Sequence, residues 1–227
     1  MHGDVREVFG TSRAAQQHPD LRELAADRWT LVDPDALTAL SGTVHPQGVV
    51  ARCVVPAGDL PSALASRPRL VAVCVDVRDP GNAGTLIRCA DGAGAGAVVL
   101  AGTSVDAWNP KAVRASAGSV FHLDVVGTRD VSDTLTTLST AGLRVLAADG
   151  AGAVDLDDLI DSGSLAAPTA WVFGNEAHGL APAVGDQAEA VVRVPLHGLA
   201  ESLNLATAAA ICLYASARAH RLRAGAV

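Results

Sequence analysis

The chain has 227 residues, of which 49% are hydrophobic and only 3% aromatic, and its formal net charge is −7. The apolar residues are mostly Ala, Val and Leu, which is typical of tightly packed α/β layers and disfavours a β-sandwich. The negative charge argues against a protein that coats nucleic acid indiscriminately, because such binding depends on many contacts between basic side chains and phosphates.

Neither a membrane span nor a metal site is expected from the sequence. Apolar runs stay shorter than the roughly 20 residues that cross a bilayer, and residues 1–6 lack a basic segment that leads into an apolar one. We therefore expect a cytoplasmic protein. The cysteines form no C-x-x-C or Cys/His zinc pattern and are expected to be reduced core residues; they are Cys53, Cys74, Cys89 and Cys212.

Residues 1–55 predict a short α/β unit. Its strands are expected near Val5–Phe9 and Thr30–Val32, and its helices near Asp20–Asp27 and Pro34–Leu40. Residues 56–69 hold three prolines among small residues, a composition that suits a linker.

From residue 70 to residue 227 the pattern alternates between strand and helix. Such alternation predicts a mostly parallel sheet flanked by helices, with its ligand site beyond the carboxyl ends of the strands. The expected strands are Leu70–Val77, Ala97–Leu100, Val120–Val125, Leu143–Ala148, Thr169–Phe173 and Val191–Val194. The expected helices are Asn82–Gly94, Pro110–Ala115, Val131–Ala141 and Leu203–Arg221.

The first polar cluster leaves the strand that ends near residue 77. Asn82 is a plausible helix N-cap, and Arg88 lies six residues on, so its side chain must reach back along the helix to approach Asn82. An ordinary capped helix with a surface arginine would give the same pattern. A second cluster, residues 108–119, combines two cations, hydroxyls and a proline. This composition suits phosphate binding, although a solvated helix would also explain it.

Two further clusters follow later strands. Gly174, Asn175 and Glu176 come directly after an apolar strand, where glycine lets backbone approach a ligand; Glu176 could equally be an exposed turn carboxylate. In the fourth cluster Ser202 could cap a helix. Asn204 stands in the first turn of that apolar helix, which suggests a buried polar contact.

In their order along the chain, these four clusters resemble the SpoU/TrmH-type RNA ribose methyltransferases of the SPOUT superfamily. The resemblance covers about residues 71–218. Its motifs are N-x-G-x-x-x-R from Asn82 to Arg88, N-P-K-x-x-R-x-S-x-G-S, F-G-N-E-x-x-G-L and P-L-x-G-x-x-x-S-L-N-L. Residues 1–55 resemble part of the small ribosomal-protein-like RNA-binding domain of such enzymes, without its first strand and helix. Ala177 and His178 depart from the usual glycine-rich continuation.

The resemblance implies a C-terminal trefoil knot, formed by residues from about 143 to 221, and a homodimer whose active site is completed across the interface. It also implies that S-adenosyl-L-methionine binds in the loops of the knot. The expected cofactor-binding residues are Leu146, Ala147, Gly174, Asn175, Gly179, Val194, Leu196 and Leu203.

The same resemblance implies roles for five polar residues. Arg88 would act either as a general base or as a clamp that holds the target phosphate and stabilises charge on the 2'-oxygen, since arginine stays protonated in proteins. Asn82 would orient Arg88 or the ribose, and Glu176 would fix a basic or amide partner. Ser202 and Asn204 would position the substrate and the knot backbone.

The expected substrate is structured RNA, most of all large-subunit ribosomal RNA, with contacts from Lys111, Arg114 and Ser116. A transfer-RNA 2'-O-methyltransferase and an inactive knotted RNA-binding scaffold are the alternatives. A dinucleotide-dependent oxidoreductase is disfavoured, because the glycines at 92–96 and 150–152 do not fit G-x-G-x-x-G between a strand and a helix.

Overall fold

The computed structural model describes residues 4–56, 58–176 and 178–224. The chain divides into two compact units, Met1–Ala57 and Gly58–Val227. The boundary differs from the predicted linker at 56–69, because a helix at Leu60–Leu64 belongs to the second unit. Leu60 and Leu64 are buried there and Pro61 stands in the first turn, a position where proline starts a helix rather than interrupting it.

The first unit is a three-stranded sheet with three helices in its described part. The central strand β1 pairs in parallel with β2 and antiparallel with β3. Val8, Ala25 and Trp29 form its buried core. The helix α1 and the strand β3 were not predicted, since neither shows a clear apolar period. The elements are β1 (Asp4–Gly10), α1 (Ser12–Gln17), α2 (Pro19–Ala25), β2 (Trp29–Leu31), α3 (Pro34–Ser41) and β3 (Val49–Val54).

The second unit contains a seven-stranded sheet in the order β6-β5-β4-β9-β7-β10-β8, and every neighbouring pair is parallel. This confirms the predicted parallel α/β sheet. Its strands are β4 (Leu70–Val75), β5 (Ala97–Ala101), β6 (Asp124–Thr128), β7 (Arg144–Ala148), β8 (Val154–Asp155), β9 (Thr169–Phe173) and β10 (Ala190–Arg193). Its helices are α4 (Leu60–Leu64), α5 (Pro80–Gly92), α6 (Pro110–Ala115), α7 (Val131–Thr140), α8 (Leu156–Asp161), α9 (Pro182–Gln187) and α10 (Leu205–Ala224).

Both faces of this sheet are covered by helices. Alternate residues of the strands contribute to two separate hydrophobic clusters, one beneath α5, α8 and α10 and the other beneath α4, α7 and α9. Because both faces are buried, the sequences of β4 and β9 are continuously apolar, as is typical of buried parallel strands. On the first face, Trp171 Nε1 donates a buried hydrogen bond to Ser216 Oγ at 2.9 Å, which joins α10 to β9.

The predicted strand at 120–125 begins later, at Asp124. Ala117 and Gly118 adopt positive φ angles of 49° and 95°, and a 3₁₀ turn follows at Ser119–Phe121. The apolar residues Val120 and Phe121 therefore pack beneath α5 from a turn. Apolar character alone could not distinguish this turn from a strand.

Among the described residues, no helix is both long and apolar enough to cross a bilayer. The same residues contain no group of three or more His, Cys, Asp or Glu side chains that could hold a metal ion. The four cysteines are free, and Cys74 and Cys212 are buried in the core. Burial raises the pKa of the Cys212 thiol to about 12, so this side chain behaves as a small apolar group.

Helix α5 crosses α6 at Gly84, where the two backbones approach closely. A Cβ atom at Gly84 would lie 2.3 Å from the backbone oxygen of Ala112 and 2.7 Å from Ala115 Cβ. We expect Gly84→Ala to lower the free energy of unfolding by about 1–3 kcal/mol, because overpacking forces the helices apart. Urea denaturation measures the change. Gly92→Ala, at the open end of the same helix, is the matched control and should change the free energy of unfolding by less than about 1 kcal/mol. Equal effects of the two substitutions would contradict the close approach of α5 and α6 at Gly84.

Candidate functional site

A cavity of about 720 Å³ opens at the carboxyl edge of the sheet, where β9, β7 and β10 end. This is the place where open parallel sheets bind ligands. The cavity is bordered by the loops that follow these three strands and by the residues that precede α10. Six of the predicted cofactor-binding residues line it, namely Gly174, Asn175, Gly179, Val194, Leu196 and Leu203.

The other two predicted cofactor-binding residues do not line the cavity. Leu146 and Ala147 are fully buried within β7, where β9 and β10 flank them on both sides. The chain reaches the cavity one to three residues later, at Ala148, Asp149 and Gly150. That Leu146 and Ala147 contact the cofactor stays a prediction; the structure shows only that they do not line this cavity.

Asp79, rather than Asn82, is the N-cap of α5. Its Oδ1 accepts a hydrogen bond from the backbone N–H of Asn82 at 2.8 Å, and Pro80 occupies the first turn of the helix. The prediction that Asn82 caps the helix is therefore wrong. An acidic residue directly before a proline is a signal that could have identified this cap.

Because Asp79 caps the helix, the carboxamide of Asn82 is available for contacts with two distant segments. Its Nδ2 donates to Glu176 Oε1 at 2.5 Å, and its Oδ1 accepts from Asn204 Nδ2 at 3.1 Å. We call Asn82, Glu176 and Asn204 the amide network. It brings together three of the residues that were singled out from separate parts of the sequence, and two of them, Glu176 and Asn204, line the cavity.

Asn204 is the N-cap of α10. Its Oδ1 accepts from the backbone N–H groups of Ala206 and Thr207 at 2.9 and 3.3 Å. That leaves its Nδ2 as a donor, so Asn82 must present its oxygen to Asn204 and its nitrogen to Glu176. Asn204 is exposed, so the predicted buried contact is wrong. Ser202 does not cap α10; it is exposed and lines the cavity.

The loop after β9 is held in a tight turn. Asn175 and Gly179 exchange backbone hydrogen bonds of 3.2 and 2.8 Å, and a Cβ atom at Gly174 would lie 2.4 Å from the backbone of Gly179. The side chain of Asn175 donates to the backbone oxygen of Asp76, at the end of β4, at 2.8 Å. Asn175 thus fixes the loop that carries Glu176. Ala177 lies outside the described residues.

The predicted RNA-binding residues have three different environments. Lys111 Nζ forms an ion pair with Asp79 Oδ2 at 2.8 Å, which joins the starts of α5 and α6. Arg114 is exposed and forms no ion pair within the described residues. Ser116 is fully buried, and its hydroxyl donates to the backbone oxygen of Val113. The prediction that Ser116 contacts RNA is therefore wrong for this conformation.

Arg88 is exposed on α5 and does not line the cavity. Six residues advance an α-helix by about 9 Å and rotate it by about 240°. Arg88 and Asn82 consequently leave the helix at different heights and on different sides. Within the described part of one chain, Arg88 belongs neither to the amide network nor to an ion pair.

The cavity is acidic. Asp149, Glu176 and Glu201 line it, and the cation Arg193 at its edge is paired with Asp155 at 3.3 Å. Such a lining favours a ligand that carries positive charge or hydrogen-bond donors. Outside the cavity, the hydrogen bond and charge of Lys111, with the backbone N–H of Asn82, hold the pKa of Asp79 below its usual range.

Comparison with known proteins agrees with this architecture. Residues 69–214 match the model of the SpoU rRNA methylase family. The 23S rRNA (guanosine(2553)-2'-O)-methyltransferase RlmP of Bacillus subtilis is 37% identical over 184 residues, which cover 81% of this chain and 70% of that protein. The 23S rRNA (guanosine-2'-O-)-methyltransferase RlmB of Nitrosomonas europaea is 31% identical, over 97% of this chain and 86% of that protein.

Among solved structures, the SpoU methyltransferase AviRb from Streptomyces viridochromogenes, in complex with AdoMet, superposes with a TM-score of 0.84. The sequences are 29% identical, and the match covers 97% of this chain and 85% of that one.

The parallel sheet and the cavity at its carboxyl edge define an α/β protein with a ligand site formed by strand-end loops. The chain belongs to the SpoU rRNA methylase family, which confirms the resemblance found in its motifs.

The lowered pKa of Asp79 predicts a pH-dependent contribution to stability. A carboxyl whose pKa is lower in the folded than in the unfolded chain stabilises the fold above its unfolded pKa, and the effect is lost as the pH falls through the folded pKa. Because the side chain is about half exposed, 45%, we expect Asp79→Asn to lower the free energy of unfolding by less than about 1 kcal/mol at pH 7.

Urea denaturation between pH 3 and pH 7 measures this effect, and the difference from wild type should shrink as the pH falls below about 4. Asp161→Asn removes an exposed carboxylate at the end of α8 and serves as the control. If the difference in the free energy of unfolding between wild type and Asp79→Asn stays constant over this pH range, the charge of Asp79 contributes nothing to stability.

Proposed function

We propose that this protein uses S-adenosyl-L-methionine to methylate the 2'-hydroxyl of a ribose in large-subunit ribosomal RNA. The observation that carries the proposal is the amide network, which joins residues of three family motifs at the rim of the strand-end cavity. The relatives RlmP and RlmB are named as 23S rRNA 2'-O-methyltransferases. RlmB matches nearly the whole chain, including the first unit.

The cavity fits S-adenosyl-L-methionine in size and in chemistry. Its volume of about 720 Å³ lies in the range of small-molecule sites. Val194, Leu196 and Leu203 offer apolar surface for a nucleoside, while Glu176 and Glu201 complement a cationic sulfonium. When bound, this cofactor supplies an electrophilic methyl group.

The protein's own contribution is to hold the ribose oxygen in line with the methyl group and to stabilise the charge that develops there. We assign Arg88 the electrostatic role, because a protonated guanidinium can hold a phosphate and stabilise an oxyanion. Asn82 orients the ribose or Arg88, and Glu176 holds Asn82 in place through the hydrogen bond that joins them. Ser202 contributes a hydroxyl at the cavity wall.

We further propose that the active enzyme is a homodimer in which Arg88 of one chain completes the cavity of the other. Arg88 does not line the cavity of its own chain, which supports this arrangement. An exposed apolar surface is available on α10, where Ile211 and Tyr214 are 38% and 64% exposed. Residues three apart are neighbours on a helix surface, so these two side chains lie on one side of α10, and an apolar patch there would suit a contact with another chain.

The trefoil knot is part of the same proposal. It would be formed by residues from about 143 to 221, and the strand order supports it, since β7 is inserted between β9 and β10, which follow it in the chain. We also propose that the first unit selects the RNA, as its resemblance to a ribosomal-protein-like domain implies. An enzyme that acts on ribosomal RNA would work in the cytoplasm.

The assignment of Arg88 predicts a separation of turnover from cofactor binding. Arg88→Ala should lower transfer of labelled methyl groups from S-adenosyl-L-methionine to ribosomal RNA by at least about 100-fold, while calorimetry shows cofactor binding within about twofold of wild type. Arg67→Ala, an exposed arginine before the opposite, amino-terminal edge of the sheet, is the control. Retained turnover in Arg88→Ala would refute the electrostatic role of Arg88. If the wild type transfers no methyl group to any RNA, the inactive RNA-binding scaffold is favoured instead.

The environments of Arg114 and Ser116 predict opposite effects on RNA binding. Arg114→Ala should weaken binding and lower the slope of log K against log salt by about 1, because one phosphate contact is lost. Ser116→Ala should leave both quantities unchanged, since this hydroxyl is buried. Filter binding to ribosomal RNA at several salt concentrations measures the slopes. The same salt dependence in wild type and Arg114→Ala would exclude this contact.

A further inference from the structure

Asp149 has a position in the cavity that none of the family motifs assigns. It directly follows β7 and lines the cavity where the loops after β7, β9 and β10 meet. Its backbone N–H donates to the oxygen of Val192 in β10 at 3.0 Å. Its side-chain Oδ2 lies 3.0 Å from the point where a Cβ atom of Gly179 would stand, in the loop after β9.

Only one of the two carboxylate oxygens of Asp149 accepts a hydrogen bond from the residues that the structure describes. Oδ1 accepts a hydrogen bond from the backbone N–H of Ala151 at 2.9 Å, which fixes the side chain. Oδ2 accepts no hydrogen bond from the residues that the structure describes. Asp149 is half-buried, and a carboxylate oxygen in such a place is stabilised when a donor reaches it. The cavity is where a ligand donor would lie.

The strand order separates Asp149 from the reacting end of the cavity. Glu176 follows β9 and reaches Asn82 on the side of β4, whereas Asp149 follows β7, on the other side of β9. Neighbouring strands lie about 4.8 Å apart, so β7 is roughly 10 Å from β4. The part of the cofactor beside Asp149 is therefore not the methyl group.

We propose that Asp149 binds the ribose of S-adenosyl-L-methionine by accepting hydrogen bonds from its 2'- and 3'-hydroxyls, an inference that rests on the proposed function. An ionised carboxylate is an acceptor only, so it matches a vicinal diol, which offers two donors. Adenine matches it less well, because the donor N6 stands beside ring nitrogens whose lone pairs repel a carboxylate. Carboxylates also bind ribose hydroxyls in dinucleotide-binding α/β folds.

Isothermal titration calorimetry with two ligands tests the proposal. The ligands are S-adenosylhomocysteine and its counterpart that lacks both ribose hydroxyls. For S-adenosylhomocysteine, Asp149→Asn should raise Kd about tenfold and Asp149→Ala up to about 100-fold, as expected for hydrogen bonds to a charged group. For the dideoxy counterpart, both variants should stay within about twofold of wild type. The Asn variant keeps an acceptor for the Ala151 N–H, so the loop should remain folded.

Asp161→Asn, which removes an exposed carboxylate on α8, is the matched control and should bind both ligands as the wild type does. Equal losses for the two ligands would overturn the proposal, because Asp149 would then act on another group or on the loop itself. Unchanged binding of S-adenosylhomocysteine would also overturn it. If the wild type binds neither ligand, the proposed function itself fails.

Discussion

The carboxamide of Asn82 is the contact on which the rest of the site depends. It donates to Glu176 and accepts from Asn204, and Asn204 in turn caps α10 with its own oxygen. The start of α5, the loop after β9 and the start of α10 are thereby held at one edge of the sheet. A side chain without both a donor and an acceptor could not make this connection. The network can form because Asp79, and not Asn82, caps α5.

Charge is distributed unevenly around this edge. The cavity carries carboxylates, whereas the exposed cations Arg88 and Arg114 lie outside it on α5 and α6. An acidic cavity suits a cationic cofactor, and separate cations suit a phosphate backbone. This division reconciles a net charge of −7 with the proposed RNA substrate, because only the surface that contacts the RNA would need to be basic.

The fold was largely predictable because buried parallel strands and short capped helices leave a local signal. Thr169–Phe173 and Pro110–Ala115 have the predicted bounds. The resemblance also assigned roles to Asn82, Glu176 and Asn204, which the structure joins by hydrogen bonds. Two details of the prediction were wrong. Asn204 rather than Ser202 caps α10, because the exact end of a helix is hard to locate from sequence. Ser116 is buried, which depends on tertiary packing. Nor could a linear pattern reveal that Arg88 lies away from its own cavity, since that depends on how the helix faces the sheet.

The central claim is that this site transfers a methyl group to the ribose 2'-oxygen of ribosomal RNA. The most direct measurement is to incubate the protein with large-subunit ribosomal RNA and labelled S-adenosyl-L-methionine and then to hydrolyse the RNA with alkali. A 2'-O-methyl group blocks cleavage of the adjoining phosphodiester, so the account predicts label in alkali-stable dinucleotides. Label in mononucleotides, which would mean methylation of a base, would contradict it.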